Sequence, residues 1–194
     1  MVLVLLILGE ATRGVLLMRT RRLQKEVSHM PDKQELTLKV NGQTHALCVD
    51  ASMPLLYVLR NYMHLTAAKL GCAAEQCGAC AVLVDGVSTL SCATPVAAFV
   101  GVDIVTCEGL GTTAAPSYVQ RAFAVEGAGQ CGYCTPGLVV ATTALLNAQR
   151  NPDDAQIRAA LLPHLCRCGS HSRVLKAVAR AAAQPFGDTT QSSR

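Results

Sequence analysis

Cysteine is the residue type in this sequence best suited to chemistry, because its thiolate binds metals and takes part in redox reactions. The chain of 194 residues has ten cysteines. Eight of them fall into two tight groups, one between residues 72 and 92 and one between residues 131 and 168. Structural disulfides do not require such crowding. The spacing within each group therefore decides between staples, metal ligands and redox pairs.

The first group is a loop with three closely spaced cysteines, followed by a fourth cysteine farther along the chain. It comprises Cys72, Cys77, Cys80 and Cys92, with the spacing C-x4-C-x2-C-x11-C. The first three positions match the loop of plant-type [2Fe–2S] proteins. Zinc also accepts four cysteines, although its ligands usually come as separated C-x2–4-C pairs. The spacing therefore favours an iron–sulfur cluster, with zinc and disulfides as the alternatives.

The second group consists of two pairs of cysteines on either side of predicted helices. Cys131 and Cys134 form a C-x2-C pair directly before one helix, and Cys166 and Cys168 form a C-x-C pair between two later helices. A helix N-terminus favours the negative charge of thiolates, and helix packing is expected to set the two pairs face to face. Spacing alone leaves open a second cluster, a zinc site or a thioredoxin-like redox pair, although the last of these lacks its βαβ context.

The elements that must position the first group are predicted to be short strands and one helix. Alternating apolar residues and the turn dipeptides Asn41-Gly42 and Asp85-Gly86 indicate two hairpins. An amphipathic helix is predicted over residues 55–62. The predicted strands cover residues 35–40, 43–49, 81–84, 87–92 and 102–106. Residues 30–111 are therefore assigned to one compact β-rich domain.

From residue 115 the sequence changes to alanine-rich helical segments, which predict a second, helical domain over residues 112–184. A polar tail over residues 185–194 completes the chain, and the fold class is therefore α+β. The predicted helices cover residues 116–125, 136–150, a third segment that starts at Asp153 or Asp154 and reaches 162, and 172–183.

Residues 1–29 differ from the rest and are assigned to an N-terminal extension. Residues 1–8 are all apolar, and the charges that follow give the extension +3 of the net +4 of the chain. These charges interrupt a spanning helix and follow the apolar run, whereas a secretory signal carries them before it. We expect a tail that contacts a membrane or a partner, or sequence upstream of a true start at Met30. A spanning helix is the less favoured alternative.

The chain from Met30 onward carries a net charge of only +1. It has no basic, aromatic-rich stretch that could neutralise phosphates and stack on bases. Nucleic acid is therefore excluded as an expected partner.

Taken together, the cysteine motifs resemble those of the iron–sulfur subunit of the molybdenum hydroxylases. This is the family of xanthine dehydrogenase, aldehyde oxidoreductases and bacterial enzymes that hydroxylate N-heterocycles. The resemblance runs from about residue 36 to residue 182. The motifs are Gly71-Cys-Ala-Ala-Glu-Gln-Cys-Gly-Ala-Cys80, Gln130-Cys-Gly-Tyr-Cys-Thr-Pro-Gly137 and Leu165-Cys-Arg-Cys-Gly169.

The resemblance implies a β-grasp plant-type ferredoxin domain followed by a four-helix bundle, each with one [2Fe–2S] cluster held by four of the eight cysteines. It also implies a large partner subunit that carries molybdopterin, with Gln130 and Cys168 forming hydrogen bonds to the pterin. Two features depart from the family pattern. Ser170 and His171 follow the last motif where many relatives have a small residue and then Tyr, and residues 1–29 have no counterpart.

The function implied is electron transfer within a multi-subunit oxidoreductase, with no catalytic residue in this chain. The complex would oxidise an aldehyde or an N-heteroaromatic compound and pass electrons to a flavin or cytochrome c subunit. The alternatives are a zinc-stabilised interaction module and a stand-alone ferredoxin or redox sensor. The expected compartment is the cytoplasm, or the periplasmic side of the inner membrane if the chain is exported folded with a partner.

The remaining candidates are assigned structural roles. Cys48 and Cys107 lie outside both groups and are expected to pack in the core. Tyr133 is expected to pack at a helix end, and His164 and His171 to support the second group. Four glycines are expected to let the backbone approach the clusters closely: Gly71, Gly78, Gly132 and Gly137.

Overall fold

The computed structural model describes residues 33–183, so the predicted N-terminal extension and C-terminal tail lie outside the described residues. From Gln34 onward the described residues form one compact unit. Two short 3-10 helices occupy Val96–Phe99 and Cys107–Leu110. The strands are β1 (Lys33–Val40), β2 (Gln43–Asp50), β3 (Ala81–Val84), β4 (Val87–Leu90) and β5 (Asp103–Val105). The helices are α1 (Leu55–Asn61), α2 (Tyr118–Val125), α3 (Thr135–Ala148), α4 (Asp154–Leu161) and α5 (His171–Ala182).

The five strands form one mixed sheet in the order β2-β1-β5-β3-β4. Strands β1 and β5 are parallel, while β3 is antiparallel to both β4 and β5. Asn41 and Gly42 both have positive φ, as the predicted two-residue turn between β1 and β2 requires. Helix α1 buries its apolar side against this sheet, with Leu55, Leu56 and Leu59 fully enclosed. This is the β-grasp arrangement, and the α+β prediction is confirmed.

The second half of the chain is a bundle of the four helices α2 to α5, as predicted. Helix α2 begins with a capping box in which Ser117 accepts a hydrogen bond from the Gln120 amide at 3.2 Å. Helix α4 begins in the same way, with Asp153 accepting from the Gln156 amide at 2.8 Å. These side chains satisfy backbone donors at the helix ends. The core of the bundle includes Val119, Phe123, Leu138, Leu146, Val174 and Val178.

Helix α3 joins the two halves because it packs on the bundle and on the sheet. Val140 of α3 forms a small buried cluster with Ala81 and Leu83 of β3. Val82, between them on β3, faces the α1 side and belongs to the core of the first half. Helices cover both faces of strand β3, which explains why its successive residues are all apolar. This packing brings the two cysteine groups close to each other.

Some local predictions require correction. The prediction that Cys48 packs in the core is wrong, because it is exposed on β2, where alternate residues such as Leu47 and Val49 point inward. Cys107 is half-buried at the start of a 3-10 helix, where it packs against the core of the bundle and against the small cluster between α3 and β3. The last helix begins at His171 rather than at residue 172, with Ser170 as its N-cap. Within residues 33–183, no helix is long and apolar enough to cross a bilayer.

Candidate metal centres

The β3–β4 hairpin brings together two cysteines of the first group. Cys80 directly precedes β3 and Cys92 lies two residues after β4, and the pairing of Ala81 with Leu90 places the two ends side by side. The Ser91 hydroxyl donates to the Cys80 carbonyl at 2.6 Å. Both cysteines are buried. The hairpin thus supplies a rigid pair of ligands to a loop that has no regular structure of its own.

The four thiols of the first group are arranged as two contacting pairs. The thiols of Cys72 and Cys77 interact with each other, as do the thiols of Cys80 and Cys92. At Gly71 a side chain would place its Cβ only 2.5 Å from the Cys77 sulfur. The loop therefore wraps so closely around this sulfur that only glycine fits, which confirms the close approach predicted for this position.

The two pairs of the first group differ in their surroundings. Backbone amides of Gln76 and Ala74 lie 3.2 and 3.4 Å from the Cys72 sulfur and lower the pKa of this exposed thiol to about 7. Burial raises the pKa of the Cys80 thiol to about 11. A bound cation reverses that penalty, because metal ligation stabilises the thiolate. A positively charged metal group beside Cys80 and Cys92 would therefore stabilise their thiolates despite the burial.

The second group is also arranged as two contacting pairs, and each pair joins two separate segments. The thiol of Cys131 interacts with that of Cys168, and the thiol of Cys134, the N-cap residue of α3, interacts with that of Cys166. The structure therefore places the C-x2-C and C-x-C segments face to face, as predicted. These contacts connect the start of α3 with the α4–α5 connection.

Burial and backbone amides act on the second group in opposite directions. The Tyr133 amide lies 3.5 Å from the Cys131 sulfur and lowers the pKa of that exposed thiol. Burial raises the pKa of Cys134 to about 11. Burial also acts to raise the pKa of Cys166, but contacts led by the Ser170 amide outweigh it and the pKa is lowered. As in the first group, the set combines one sheltered pair with one accessible pair.

The pairwise arrangement suits a two-iron group. Among the described residues, no three Cys, His, Asp or Glu side chains converge to hold a single ion. A tetrahedral zinc site needs four ligands around one point. A [2Fe–2S] cluster instead takes two thiolates on each of its two irons. Both sets present two pairs of thiols, so the residues present fit this cluster.

The loops that carry the two sets touch each other, and we call this contact the seam. It is formed by Leu70, Cys77, Gly78, Tyr133, Gly137, His164 and Leu165. The Leu165 amide donates to the Cys77 carbonyl at 3.0 Å, and the Tyr133 hydroxyl donates to the Leu70 carbonyl at 2.5 Å. The seam therefore ties a ligand of the first set to the residue before Cys166.

Two glycines make the close contact of the seam possible. A Cβ on Gly137 would lie 2.2 Å from the Gly78 carbonyl oxygen, and a Cβ on Gly78 would lie 2.2 Å from Nδ1 of His164. The His164 ring is buried, which lowers its pKa to about 4 and keeps it neutral. The glycines at 78 and 137 thus permit contact between the two loops. Gly132 has open space around it and a positive φ, so its role is conformational.

Tyr133→Phe provides a test of the seam. The substitution removes the hydrogen bond to Leu70, and we expect a loss of about 0.5 to 1.5 kcal/mol in the free energy of unfolding. Chemical denaturation of the purified protein measures this loss. Tyr62→Phe is the control, because Tyr62 is similarly exposed (40% against 47%) and its hydroxyl has no partner among the described residues. Equal effects of the two substitutions would contradict the assignment.

A cleft of about 540 Å³ opens beside the second set. Its walls are largely apolar and come from α2, α3 and the connection between them, including Phe123 and Val139. Gln130 is exposed and contributes to this lining, as does Cys107. Burial raises the pKa of the Cys107 thiol, which lies 3.9 Å from Gln120 Nε2. Gln130 thus lies beside the second set, to which Cys168 belongs, and the predicted contact of these two residues with a pterin stays a prediction.

The seam is the part of the site that residue patterns do not reveal. His164 and Tyr133 have structural contacts, as predicted. These contacts lie between the two loops, however, and not at a helix end or within the second set alone. The hydrogen bond from Leu165 to Cys77 joins backbone atoms, so residue types give no signal for it. The only available signal is the pair of glycines beside the cysteines, at 78 and 137.

Comparison with known proteins places both halves of the chain among iron–sulfur proteins. Residues 38–98 match the model of the 2Fe-2S iron–sulfur cluster binding domain, and residues 106–179 match the model of the [2Fe-2S] binding domain. The chain is 48% identical over 147 residues to one subunit of the nicotinate dehydrogenase of Pseudomonas putida, covering 76% of this chain and 94% of the relative. It is 40% identical over 144 residues to the alpha chain of isoquinoline 1-oxidoreductase of Brevundimonas diminuta, covering 74% and 94%.

Solved structures agree with these relatives. Quinoline 2-oxidoreductase from Pseudomonas putida matches with a TM-score of 0.74 and 29% identity, over 78% of this chain and 94% of the matched chain. The aldehyde oxidoreductase from Desulfovibrio desulfuricans matches with a TM-score of 0.75 and 35% identity. That match covers 77% of this chain but only 17% of the larger chain.

Proposed function

The chain belongs to the iron–sulfur subunits of the molybdenum hydroxylases, and we propose that its eight paired cysteines hold the two [2Fe–2S] clusters of an electron-transfer subunit. The observation that carries this proposal is the division of each set into two contacting thiol pairs. The first cluster would be held by the pair Cys72 and Cys77 and the pair Cys80 and Cys92. The second cluster is assigned to Cys131 with Cys168 and Cys134 with Cys166.

When bound, the clusters supply one-electron transfer, and the protein supplies ligands, shielding and hydrogen bonds. The buried thiols of Cys80, Cys92 and Cys166 keep water from one side of each site. The amides of Ala74, Gln76 and Tyr133 point at exposed sulfurs and favour negative charge there. The chain thus encloses each site on one side and leaves it accessible on the other.

The seam offers a direct bridge between the two sites. The Leu165 amide and the Cys77 carbonyl are 3.0 Å apart, and Leu165 is bonded directly to Cys166. One hydrogen bond therefore connects a ligand of the first set to a ligand of the second. We assign to this bridge the role of holding the two sites at a constant separation.

The two sets are proposed to face different partners. Gln130 lies beside the second set and Cys168 belongs to it, and we assign both to hydrogen bonds with the molybdopterin of a large partner subunit. The exposed Cys72 lies on the accessible side of the first set, which we assign to the outward acceptor. A flavin subunit or a cytochrome c subunit is the proposed acceptor.

The relatives favour an N-heteroaromatic substrate for the complex. The 48% identical relative belongs to a nicotinate dehydrogenase, and another relative belongs to an isoquinoline oxidoreductase. An aldehyde is the second candidate, supported by the structural match to an aldehyde oxidoreductase. In either case the substrate chemistry belongs to the large subunit.

Purification of the chain together with the large subunit tests these assignments. We expect about four irons and four sulfides per chain, molybdenum in the complex, and the EPR signals of both reduced clusters when a pyridine carboxylate is added. Benzaldehyde is the comparison substrate. A colourless chain that contains zinc would instead support an interaction module. An iron-containing chain that never associates with a molybdenum subunit would support a stand-alone ferredoxin or redox sensor.

We propose the cytoplasm as the compartment of the complex, with the periplasmic side of the inner membrane as the alternative. The reasoning is that a chain carrying clusters assembled in the cytosol can leave it only in folded form. Fractionation of native cells with detection of this chain decides between the two. Recovery with the membrane fraction would support contact through residues 1–29 or through a partner subunit.

A further inference from the structure

Ser170 occupies the N-cap of α5 without performing the usual task of an N-cap serine. Such a side chain normally accepts a hydrogen bond from a backbone amide of the first turn. Ser117 of α2 and Asp153 of α4 do so in this chain, at 3.2 and 2.8 Å. The Ser170 side chain forms no cap hydrogen bond. Its hydroxyl is therefore not used in capping its own helix.

The Ser170 hydroxyl is buried beside a proposed cluster ligand. The residue is 4% exposed, and its Oγ has no regular hydrogen-bond partner among the described residues. The amide and the hydroxyl of Ser170 both act to lower the pKa of the Cys166 thiol, so the hydroxyl lies beside this sulfur. A neutral thiol is a weak acceptor, whereas an iron-bound thiolate is a strong one. The hydroxyl thus gains its acceptor when Cys166 becomes a ligand.

We propose that Ser170 is a positioning residue whose hydroxyl donates a hydrogen bond to the Cys166 sulfur and raises the reduction potential of the second cluster. The inference rests on the proposed function, because it takes Cys166 as a ligand. Reduction adds negative charge to the cluster and its sulfurs. A hydrogen bond to a ligand sulfur therefore stabilises the reduced form more than the oxidised form. The second cluster is then easier to reduce than it would be without Ser170.

Ser170→Ala in the complete complex tests the proposal by redox titration followed by EPR. We expect the equilibrium constant for reduction of the second cluster to fall about tenfold, equivalent to a shift of about 59 mV to lower potential. The first cluster is the control within the same molecule, and its potential should not change. Ser170→Thr keeps the hydroxyl and should restore the potential of the second cluster.

The possible results separate the inference from the proposed function. Unchanged potentials in an iron-replete Ser170→Ala complex would overturn the inference alone, as would equal shifts of both clusters. Absence of iron from the unmodified chain would overturn the proposed function. Ser170→Gly is a second variant without the hydroxyl. Whichever of the two variants keeps its full iron content shows whether the hydroxyl raises the potential of the second cluster. Loss of iron from both variants would assign Ser170 to structural support and overturn the proposal.

Discussion

Cys134→Ala leaves the chain with about two irons and two sulfides instead of about four. Cys134 is the N-cap residue of α3 and pairs with Cys166, so its removal takes one thiolate from a buried pair. An iron that loses one of its two protein thiolates is left with a single one. The first set keeps all four of its thiols. Iron and sulfide analysis measures the result, and EPR should show one signal in place of two.

Cys48→Ala and Cys107→Ala are the matched controls for this experiment. Both remove a cysteine that lies outside the two sets, one exposed and one half-buried. We expect both variants to retain about four irons. Cys80→Ala is the reciprocal change and should retain only the second cluster. Full iron in the Cys134→Ala variant would contradict the ligand assignment, and loss of all iron would show that the two halves cannot hold their clusters independently.

The elements around the sites could be predicted from sequence because each has a local cause. The turns at Asn41-Gly42 and Asp85-Gly86 require positive φ at both positions, which these residue types tolerate, and the structure has it at all four. Helix α4 begins at Asp154, one of the two predicted starting residues, and Asp153 forms its capping box. The order of the cysteines predicts both ligand sets, since the spacing of thiols along the chain reflects the cluster they surround.

Other features could not be predicted because their causes lie in the tertiary structure. The 3-10 helices at Val96–Phe99 and Cys107–Leu110 are too short to show a periodic pattern. The backbone hydrogen bond from the Leu165 amide to the Cys77 carbonyl depends on how α3 packs against β3. Cys48 is a different case. The alternation that points Leu47 and Val49 inward also points Cys48 outward, so its exposure could have been predicted from the strand pattern.

Gly78→Ala is expected to destabilise the protein strongly because Gly78 is the point at which the seam is tightest. The new Cβ would lie 2.2 Å from Nδ1 and 2.6 Å from Cγ of His164. His164 is buried and cannot rotate into solvent without opening the seam. Gly78 also has a φ of +71°, which costs a non-glycine residue about 1 to 2 kcal/mol. Overpacking of this kind adds about 1 to 3 kcal/mol.

Gly86→Ala separates the clash from the backbone strain. Gly86 has a φ of +84°, and a Cβ there would meet nothing within 4 Å. The control therefore carries the strain of a positive φ without the contact. We expect denaturation of the iron-loaded protein to show a loss of about 1 to 2 kcal/mol for Gly86→Ala and a clearly larger loss for Gly78→Ala. Similar losses would show that the seam yields easily at this position.

The double variant Gly78→Ala with His164→Ala identifies the partner in the clash. His164→Ala alone should destabilise the protein, because it leaves a cavity between the two loops. In the double variant that cavity accommodates the new methyl group, so the combined loss should be smaller than the sum of the single losses by about 0.5 to 3 kcal/mol. Additive losses would mean that His164 is not the residue that resists the new methyl group. Coupling would establish His164 as the residue through which the two cluster loops hold each other in place.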